Sequence, residues 1–284
     1  MTTVEHCPVC SSTAFRPFAM ASGRVLLHHA QVRCAGCGLL ISQPQAGPEE
    51  LREFYGRVYY EELWDRPDAY DTLAEYRRYE WPLMKQLWAD WPPTSGGMAL
   101  EIGCGYGEML SILREEGFHV RGCDAGERAV AHCVMHGLDV QRAWWPDLPY
   151  SCGEADLSLS LQVIEHVPDP RAFTRDQVSL VRRGGIVVIA TEDAWTSQCA
   201  WERLSRQLRG HVPAFRSPTD HTFVLQARHL RTLLEDAGCD VRTISFSRVP
   251  RRESVHWKMY KGLFRMIDHL VGHGDFLMAV ARRT

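Results

Sequence analysis

The sequence predicts an α/β protein built on a doubly wound, mostly parallel sheet with a small module in front of it. From Met98 onward, short apolar strands alternate with amphipathic helices, which is the pattern of such a sheet. The first of these strands runs directly into a glycine-rich turn that opens a helix. Two Cys-x-x-Cys pairs near the N-terminus predict a metal-stabilised module. Doubly wound sheets bind ligands at the carboxyl ends of their strands, so the site is expected there.

The length and charge of the chain narrow the class of protein. Its 284 residues suit one large domain with a small appendage, since domains usually have about 100–200 residues. With 32 basic and 35 acidic residues the net charge is −3, which argues against a protein that covers nucleic acid with a basic face. No apolar run approaches the roughly 18 residues of a membrane helix, and no secretory signal is visible at the start. We therefore expect a cytoplasmic protein with reduced cysteines.

The two N-terminal cysteine pairs are the predicted ligands of one zinc ion. Cys7 and Cys10 form the first pair, Cys34 and Cys37 form the second, and 23 residues separate the pairs. Four thiolates in two turns match the tetrahedral site of a zinc ribbon, and because no ligand position stays open, the ion is expected to be structural. A dithiol redox pair and unpaired core cysteines are the alternatives.

Three parts are predicted along the chain. Strands near residues 24–27 and 31–33 are expected to hold the cysteine turns together, and Pro48 fits the first turn of a following helix. The predicted parts are a zinc ribbon (1–47), a helical lid with a Pro- and Gly-rich linker (48–97), and a ligand-binding domain (98–284) with substrate-side insertions near 192–225 and 249–274.

Within the ligand-binding domain, periodicity and glycines set the order of the elements. A glycine is expected to close each of three helices, and the Gly184-Gly185 turn separates a fourth helix from the next strand. The predicted strands cover residues 98–102, 119–123, 138–141, 155–161, 186–190, 241–246 and 276–281. The predicted helices cover residues 108–117, 127–136, 168–183 and 227–238.

The glycine-rich turn indicates which ligand the sheet binds. Residues 101–107 follow the pattern Glu-x-Gly-x-Gly-x-Gly, and Glu108 stands where the usual dinucleotide loop would need a further glycine. The carboxylate of Glu101 would repel a pyrophosphate but suits an ammonium group. Asp124 ends the next strand, 21 residues after Gly103, where a carboxylate can accept both hydroxyls of a ribose. An adenosine that carries an amino acid chain and a positive sulfur matches these features, whereas the alternative is a turn that needs glycines for steric reasons alone.

These motifs resemble those of class I S-adenosylmethionine-dependent methyltransferases, in particular the small-molecule branch that carries an N-terminal zinc ribbon. The resemblance covers nearly the whole chain and implies a Rossmann-like, seven-stranded sheet with a helical lid. The matching segments are 101–107, Asp124, the Leu-Gln-Val-Ile-Glu-His-Val-Pro-Asp-Pro run 161–170, the glycine turn and strand 183–189, and the Asp-His-Thr-Phe run 220–223. One departure is Thr-Glu-Asp at 191–193, where many relatives have Pro-Asn.

The resemblance implies S-adenosylmethionine as the cofactor and assigns its contacts residue by residue. The glycine-loop backbone would face the methionine part with Glu101, Asp124 would take the ribose, and Gln162 would lie under the methionine portion. Trp144 or Trp145 is either a face for the adenine or a packing residue. The implied cofactor-binding residues are Glu101, Gly103, Cys104, Gly105, Gly107, Asp124, Ala125, Trp144 and Gln162.

Catalysis needs little from the protein, because the methyl group on the sulfonium is already activated. A hydroxyl, phenol or acidic carbon gains from a general base, and His166 at the end of the fourth strand and His221 in the insertion are the candidates. His166 could instead order the loop that follows it. His211 is a weaker candidate, and Tyr59 and Tyr60 could belong to the lid.

The sequence therefore favours methyl transfer to a small-molecule acceptor such as a sugar, a phenolic compound or a natural-product intermediate. Two alternatives stay open: an RNA base methyltransferase that recognises RNA through the ribbon, and a non-enzymatic partner-binding protein on a vestigial fold. Local basic clusters at 203–209 and 248–261 are either solvated faces or contacts for an anionic or carrier-tethered acceptor. The sequence does not define the methylated atom, the acceptor or the oligomeric state.

Overall fold

The N-terminal module is a small antiparallel sheet in the computed structural model, which describes residues 3–21, 29–56, 59, 72–193, 208, 221–247 and 274–284. Its strands are β1 (Phe15–Ala21), β2 (His29–Cys34) and β3 (Leu40–Gln43). The expected strand at 31–33 lies within β2, and the expected strand at 24–27 lies outside the described residues. A two-residue strand from far along the chain, Phe223–Val224, pairs with β3 and ties the module to the rest of the protein.

The main sheet has seven strands among the described residues. These strands are β4 (Met98–Ile102), β5 (His119–Asp124), β6 (Asp139–Arg142), β7 (Ala155–Leu161), β8 (Val181–Glu192), β10 (Cys239–Phe246) and β11 (Phe276–Arg283); β9 is Phe223–Val224. Their spatial order is β10-β11-β8-β7-β4-β5-β6, in which β4 to β8 run parallel and β11 lies antiparallel between β8 and β10. The predicted doubly wound, seven-stranded sheet is confirmed.

Helices surround the sheet and precede it. In the described part of the chain they are α1 (Pro48–Glu53), α2 (Thr72–Arg78), α3 (Glu80–Leu87), α4 (Glu108–Glu115), α5 (Glu127–Met135), α6 (Pro170–Leu180) and α7 (Ala227–Asp236). The helical character expected over 48–91 is found in α1, α2 and α3, and residues 60–71 lie outside the described residues. No helix in the described part has the length and apolar character that a bilayer crossing requires.

Buried apolar clusters on both faces of the sheet form the core. The central strands β7 and β8 carry consecutive buried residues, as expected for parallel strands covered on two sides. One cluster joins the sheet to α6, α7 and the N-terminal module, and the other joins it to α3 and α4. Because β4, β5 and β7 are parallel neighbours, their carboxyl ends lie at the same edge of the sheet, and the glycine turn begins there.

The helix predicted at 168–183 ends three residues early, at Leu180. Val181 already has extended backbone angles and pairs with Ala155 at the start of β8. The Arg283 guanidinium, at the end of β11, donates to the carbonyl oxygens of Val178, Ser179 and Val181. These bonds satisfy carbonyl groups that the end of a helix leaves open, so a residue a hundred positions away fixes the boundary.

Candidate functional site

The glycine turn after β4 has a backbone that only glycine tolerates well. Gly103, Gly105 and Gly107 all have left-handed angles, with φ of 70°, 53° and 79°. A Cβ on Gly103 would lie 2.5 Å from Val163 Cγ2, and one on Gly107 would lie 2.4 Å from Leu138 Cδ1. The turn thus packs closely against its neighbours and presents backbone rather than side chains at the carboxyl edge of the sheet.

Asp124, at the end of β5, holds this turn in place. Its side chain is buried, with a relative exposure of 6%. The Gly105 N–H donates to Oδ2 at 2.9 Å, and the Gly126 N–H donates to Oδ1 at 2.8 Å. These two bonds fix the carboxylate beside the glycine turn, at the carboxyl edge of the sheet.

Glu101 supplies a second buried carboxylate beneath the turn. It is 2% exposed, and its Oε2 atom has no hydrogen-bond partner among the described residues. Burial raises the pKa of Glu101 well above its usual range, and the nearby charge of Glu108 raises it further. A buried carboxylate with an open acceptor is costly unless a positive group joins it. The site therefore fits an ammonium group.

The remaining residues predicted at the cofactor occupy different surroundings. The Cys104 side chain packs in a small apolar core with Leu110 and Cys133, while its backbone forms part of the glycine turn. Gln162, directly after β7, has a left-handed φ of 59°, and its N–H donates to the Ala190 carbonyl at 2.8 Å. This unusual backbone conformation for a glutamine turns the chain at the edge of the sheet.

The two neighbouring tryptophans separate into two roles. Trp145 packs edge-on against Phe173, 5.9 Å between ring centroids, and its Nε1–H donates to Asp176 at 3.0 Å. This tryptophan is a packing residue. Trp144 instead faces an aromatic cluster formed by Phe54, Tyr55 and Tyr59, and its ring lies 5.7 Å from the Tyr55 ring. Ala125 packs against the same cluster.

The two candidate histidines lie together, although 55 positions separate them. The ring centroids of His166 and His221 are 4.7 Å apart in an edge-to-face arrangement. The Thr222 N–H donates to the Glu165 carbonyl at 2.8 Å, and Ser42 Oγ donates to the His221 carbonyl at 2.9 Å. The short strand β9 thus fastens the segment that carries His221 against the end of β7.

Acidic and phenolic groups surround this histidine pair. The Tyr55 hydroxyl and His166 Nδ1 share a hydrogen bond of 2.6 Å. His221 Nδ1 lies 3.8 Å from Glu192 Oε2, and ligand atoms of Glu165, His166 and His221 all lie within 4.8 Å of one another. Burial lowers the pKa of His221 well below 6.5, and the adjacent His166 lowers it further, so His221 is neutral at neutral pH.

The four N-terminal cysteines converge as their spacing predicts. Cys7 Sγ lies 3.5 Å from Cys37 Sγ, Cys10 Sγ lies 3.5 Å from Cys34 Sγ, and all four sulfurs lie within 4.8 Å of one another. The interaction with Cys37 lowers the pKa of Cys7 to about 5. The set is chemically suited to a tetrahedral, thiolate-binding ion.

The other residues that the sequence suggests as site residues do not join the histidine pair in the described part of the chain. Tyr59 packs against Phe54 and Tyr55 in the aromatic cluster. His211, Tyr60 and almost all of the two basic clusters lie outside the described residues. Sequence reasoning named neither Tyr55 nor Glu192 as a site residue. The density of aromatic residues after α1 is the sequence signal for Tyr55, and the Thr-Glu-Asp departure at 191–193 is the signal for Glu192.

Comparisons with known proteins agree with this geometry. A family model described as a methyltransferase domain matches residues 73–244. A ubiquinone biosynthesis O-methyltransferase of Maricaulis maris is 27% identical over 218 residues, covering 71% of this chain and 84% of that protein. One of the same description from Caulobacter vibrioides is 36% identical over 108 residues, which is 35% of this chain and 42% of that protein. A crystal structure of an S-adenosylmethionine-dependent methyltransferase from Archaeoglobus fulgidus shares the fold, with a TM-score of 0.54 and 16% identity over 80% of this chain and 98% of that one.

Proposed function

The chain belongs to the methyltransferase-domain family and is an S-adenosylmethionine-dependent methyltransferase, and we propose that it methylates a hydroxyl group of a small phenolic molecule. The observation that carries the proposal is the pairing of His166 with His221 at the edge of the sheet that holds the glycine turn. Val163, which packs against Gly103 of that turn, is only three residues before His166. An imidazole is therefore near the cofactor side of the site, where a hydroxyl acceptor needs a base.

The choice of a phenolic hydroxyl rests on chemistry and on the curated relatives. A carboxylate acceptor would not need a base, whereas a phenol is a much better nucleophile once its proton is removed. Several relatives are named as ubiquinone biosynthesis O-methyltransferases. The Tyr55 ring, which lies between His166 and the Trp144 ring, would also suit an aromatic acceptor.

Residues of this chain would hold the cofactor through charge and backbone. When bound, S-adenosylmethionine supplies a methyl group on a positively charged sulfur. Glu101 would pair with the ammonium group, and Asp124 would accept hydrogen bonds from the ribose while it keeps the glycine turn in place. Ala125 and Trp144 would lie against the nucleoside and Gln162 under the methionine portion. The backbones of Gly103, Cys104, Gly105 and Gly107 would line the methionine part.

The chain's own catalytic task would be to position the acceptor, exclude water and hold one proton. His166 or His221 takes the proton that the acceptor hydroxyl loses and later returns it to solvent. Because His221 is neutral at neutral pH, it has a lone pair for this purpose. His166 is the more exposed of the two and has the Tyr55 contact described above.

The cysteine cluster supports a proposed structural zinc ion. Four thiolates and one Zn²⁺ carry a net charge of about −2. Arg16, Arg33 and Arg228 surround Gly38, beside Cys37, in a cavity of about 320 Å³. Their positive charges suit the negative charge of a zinc–thiolate centre. The pairing of β3 with β9 further supports residues 1–47 as a module that braces the substrate side of the domain.

The alternatives raised by the sequence are less well supported. Membership of an enzyme family argues against a non-enzymatic partner-binding protein. The curated relatives named above are enzymes of a small-molecule pathway by description, which favours a small acceptor over RNA. The anionic or carrier-tethered acceptor is a hypothesis that depends on the two basic clusters, nearly all of which lie outside the described residues.

Methyl transfer from labelled S-adenosylmethionine to simple aromatic probes tests the proposal. We expect labelled product from catechol, which has free phenolic hydroxyls. Anisole and benzoate are the matched controls, because one has its hydroxyl blocked and the other offers only a carboxylate. Labelling of aniline or benzoate in preference to catechol would refute O-methylation of a phenol.

A further inference from the structure

We propose that Tyr55 is a positioning residue for His166, holding its imidazole in the tautomer that can accept a proton from the substrate. This inference rests on the proposed function, in which His166 acts as the base. Tyr55 comes from the segment after α1, outside the residues 73–244 that match the methyltransferase family. The N-terminal part of this chain thus completes a site whose other members lie in the common domain.

The contact between the two residues is close and buried. The Tyr55 hydroxyl lies 2.6 Å from His166 Nδ1, and the two ring centroids are 5.2 Å apart. Tyr55 is 9% exposed, so little water competes for this bond. A hydrogen bond of this kind restricts the rotation of an imidazole ring, and a hydroxyl can serve it as donor or as acceptor.

The tautomer follows from the task of a base. Because Tyr55 meets the ring at Nδ1, the acceptor in the proposed mechanism meets it at Nε2. Nε2 has a lone pair only when the neutral ring carries its proton on Nδ1, so the Nδ1–H must donate to the Tyr55 oxygen. This bond persists when Nε2 gains a proton and strengthens as the ring becomes charged. No other proton movement is required: the acceptor hydroxyl gives its proton to Nε2, and the ring later releases it to water.

Packing holds the tyrosine itself in position. Leu51, Phe54 and Tyr55 form a small buried cluster with Tyr59, Ala125 and Trp144. The Phe54 ring meets the Tyr55 ring edge-on at 4.9 Å, and Trp144 lies on another side at 5.7 Å. These contacts restrict the Tyr55 ring, so its hydroxyl is directed at His166 without a large loss of conformational freedom on binding.

The surroundings of His166 decide how a pH profile is interpreted. Among the residues that the structure describes, Tyr55, His221 and Glu165 are titratable groups that face or adjoin its ring, and Glu192 faces His221. Of these, Tyr55 meets His166 through a described hydrogen bond to a ring nitrogen. Removing the Tyr55 hydroxyl should therefore weaken the charged form of His166 while leaving the rest of the pocket in place.

Tyr55→Phe, compared with Tyr79→Phe as a matched control, tests the inference in the full-length protein. We expect kcat for catechol to fall roughly three- to tenfold, the value of one hydrogen bond. The acid limb of the kcat profile should move to lower pH, and the KM for S-adenosylmethionine should stay unchanged. Tyr79 contacts Arg78 away from the histidines, and its variant should match the parent in all three measurements.

A measurement on the unmodified protein covers the case in which Tyr55→Phe does not fold. Long-range ¹H–¹⁵N spectra report the tautomer of His166 directly, with the signals assigned from the His166→Asn variant. We expect the proton on Nδ1. A proton on Nε2 in the neutral ring would overturn the inference even if the enzyme is active.

Other outcomes separate the inference from the proposed function. If the parent does not methylate catechol but binds the cofactor, the proposed acceptor is wrong, and the tautomer measurement still tests the Tyr55–His166 pair. A higher kcat in Tyr55→Phe would mean that Tyr55 blocks the acceptor and would overturn a positioning role. Strict dependence of the zinc-loaded enzyme on added Mg²⁺ would assign the Glu165–His166–His221 cluster to a cation and would also overturn it.

Discussion

Replacing Asp124 with alanine should weaken cofactor binding and loosen the glycine turn at the same time. The carboxylate accepts backbone N–H groups from Gly105 at 2.9 Å and Gly126 at 2.8 Å. The substitution removes both bonds and leaves two donors without their partner. In the proposed complex it also removes the acceptor for the ribose hydroxyls.

The expected magnitude follows from the number of bonds that are lost. Hydrogen bonds to a charged group contribute about 1.5–3 kcal/mol each. Losing the two backbone bonds of a 6% exposed carboxylate should lower the free energy of unfolding by roughly 2–4 kcal/mol, since water can partly replace them. Losing even one ribose bond should weaken S-adenosylmethionine binding about tenfold or more.

A double-mutant cycle separates the two effects. Calorimetry would compare S-adenosylhomocysteine with its 2′,3′-dideoxy analogue on the parent and on Asp124→Ala, with Asp240→Asn as the control. Asp240 is an exposed aspartate on the edge strand β10, where it pairs with Arg282 of β11. Several strands separate β10 from the glycine turn in the sheet order. We expect the parent to prefer the ligand with hydroxyls and the variant to lose that preference. If both proteins discriminate equally, the ribose does not contact Asp124 and the placement of the cofactor is wrong.

Three further predictions concern the carboxylate, the zinc ion and the base. Glu101→Gln should weaken S-adenosylmethionine binding yet raise Tm, because burial raises the pKa of Glu101 and the native state therefore keeps a proton that the unfolded chain loses as pH rises above 4.5; an unchanged affinity would exclude an ammonium contact. Cys7→Ser should abolish stoichiometric zinc and lower Tm, and parent protein purified without chelator that contains no zinc would contradict the ribbon. Either His166→Ala or His221→Ala should lose about 10²–10⁴-fold in turnover with normal cofactor affinity, and the parent rate should rise through about pH 6–7. An acid limb well below pH 6.5 would indicate that His221 is the base, because burial lowers its pKa. Near-parent turnover in both variants would mean that neither histidine acts as a base and that the enzyme only positions its substrates.

Local sequence was sufficient for the features that depend on neighbouring residues. The order of strands and helices from Met98 onward, the glycine turn and the acid that ends β5 are all encoded within short windows. Hydrophobic periodicity and left-handed glycines act over a few residues, so a single sequence reveals them. The cysteine spacing likewise predicted the cluster of four sulfurs that the structure shows.

Element boundaries and the set of residues around His166 depend on contacts between parts of the chain that are far apart in sequence. The early end of α6 at Leu180 follows from Arg283 on the last strand, which no window around residue 180 contains. In the same way, Tyr55 meets His166 where its cluster packs against Ala125 and Trp144, which follow β5 and β6.

From the sequence alone, the chain is expected to form a seven-stranded doubly wound sheet with a turn suited to a cationic adenosine cofactor. The sequence also names the histidines from which a base could come. That His166 and His221 lie side by side emerges only in the folded chain, where the Thr222 N–H donates to the Glu165 carbonyl and the adjoining strand β9 pairs with β3 of the N-terminal module. Pairing between strands nearly two hundred residues apart depends on the burial of both partners, and that burial exists only once the whole chain has folded.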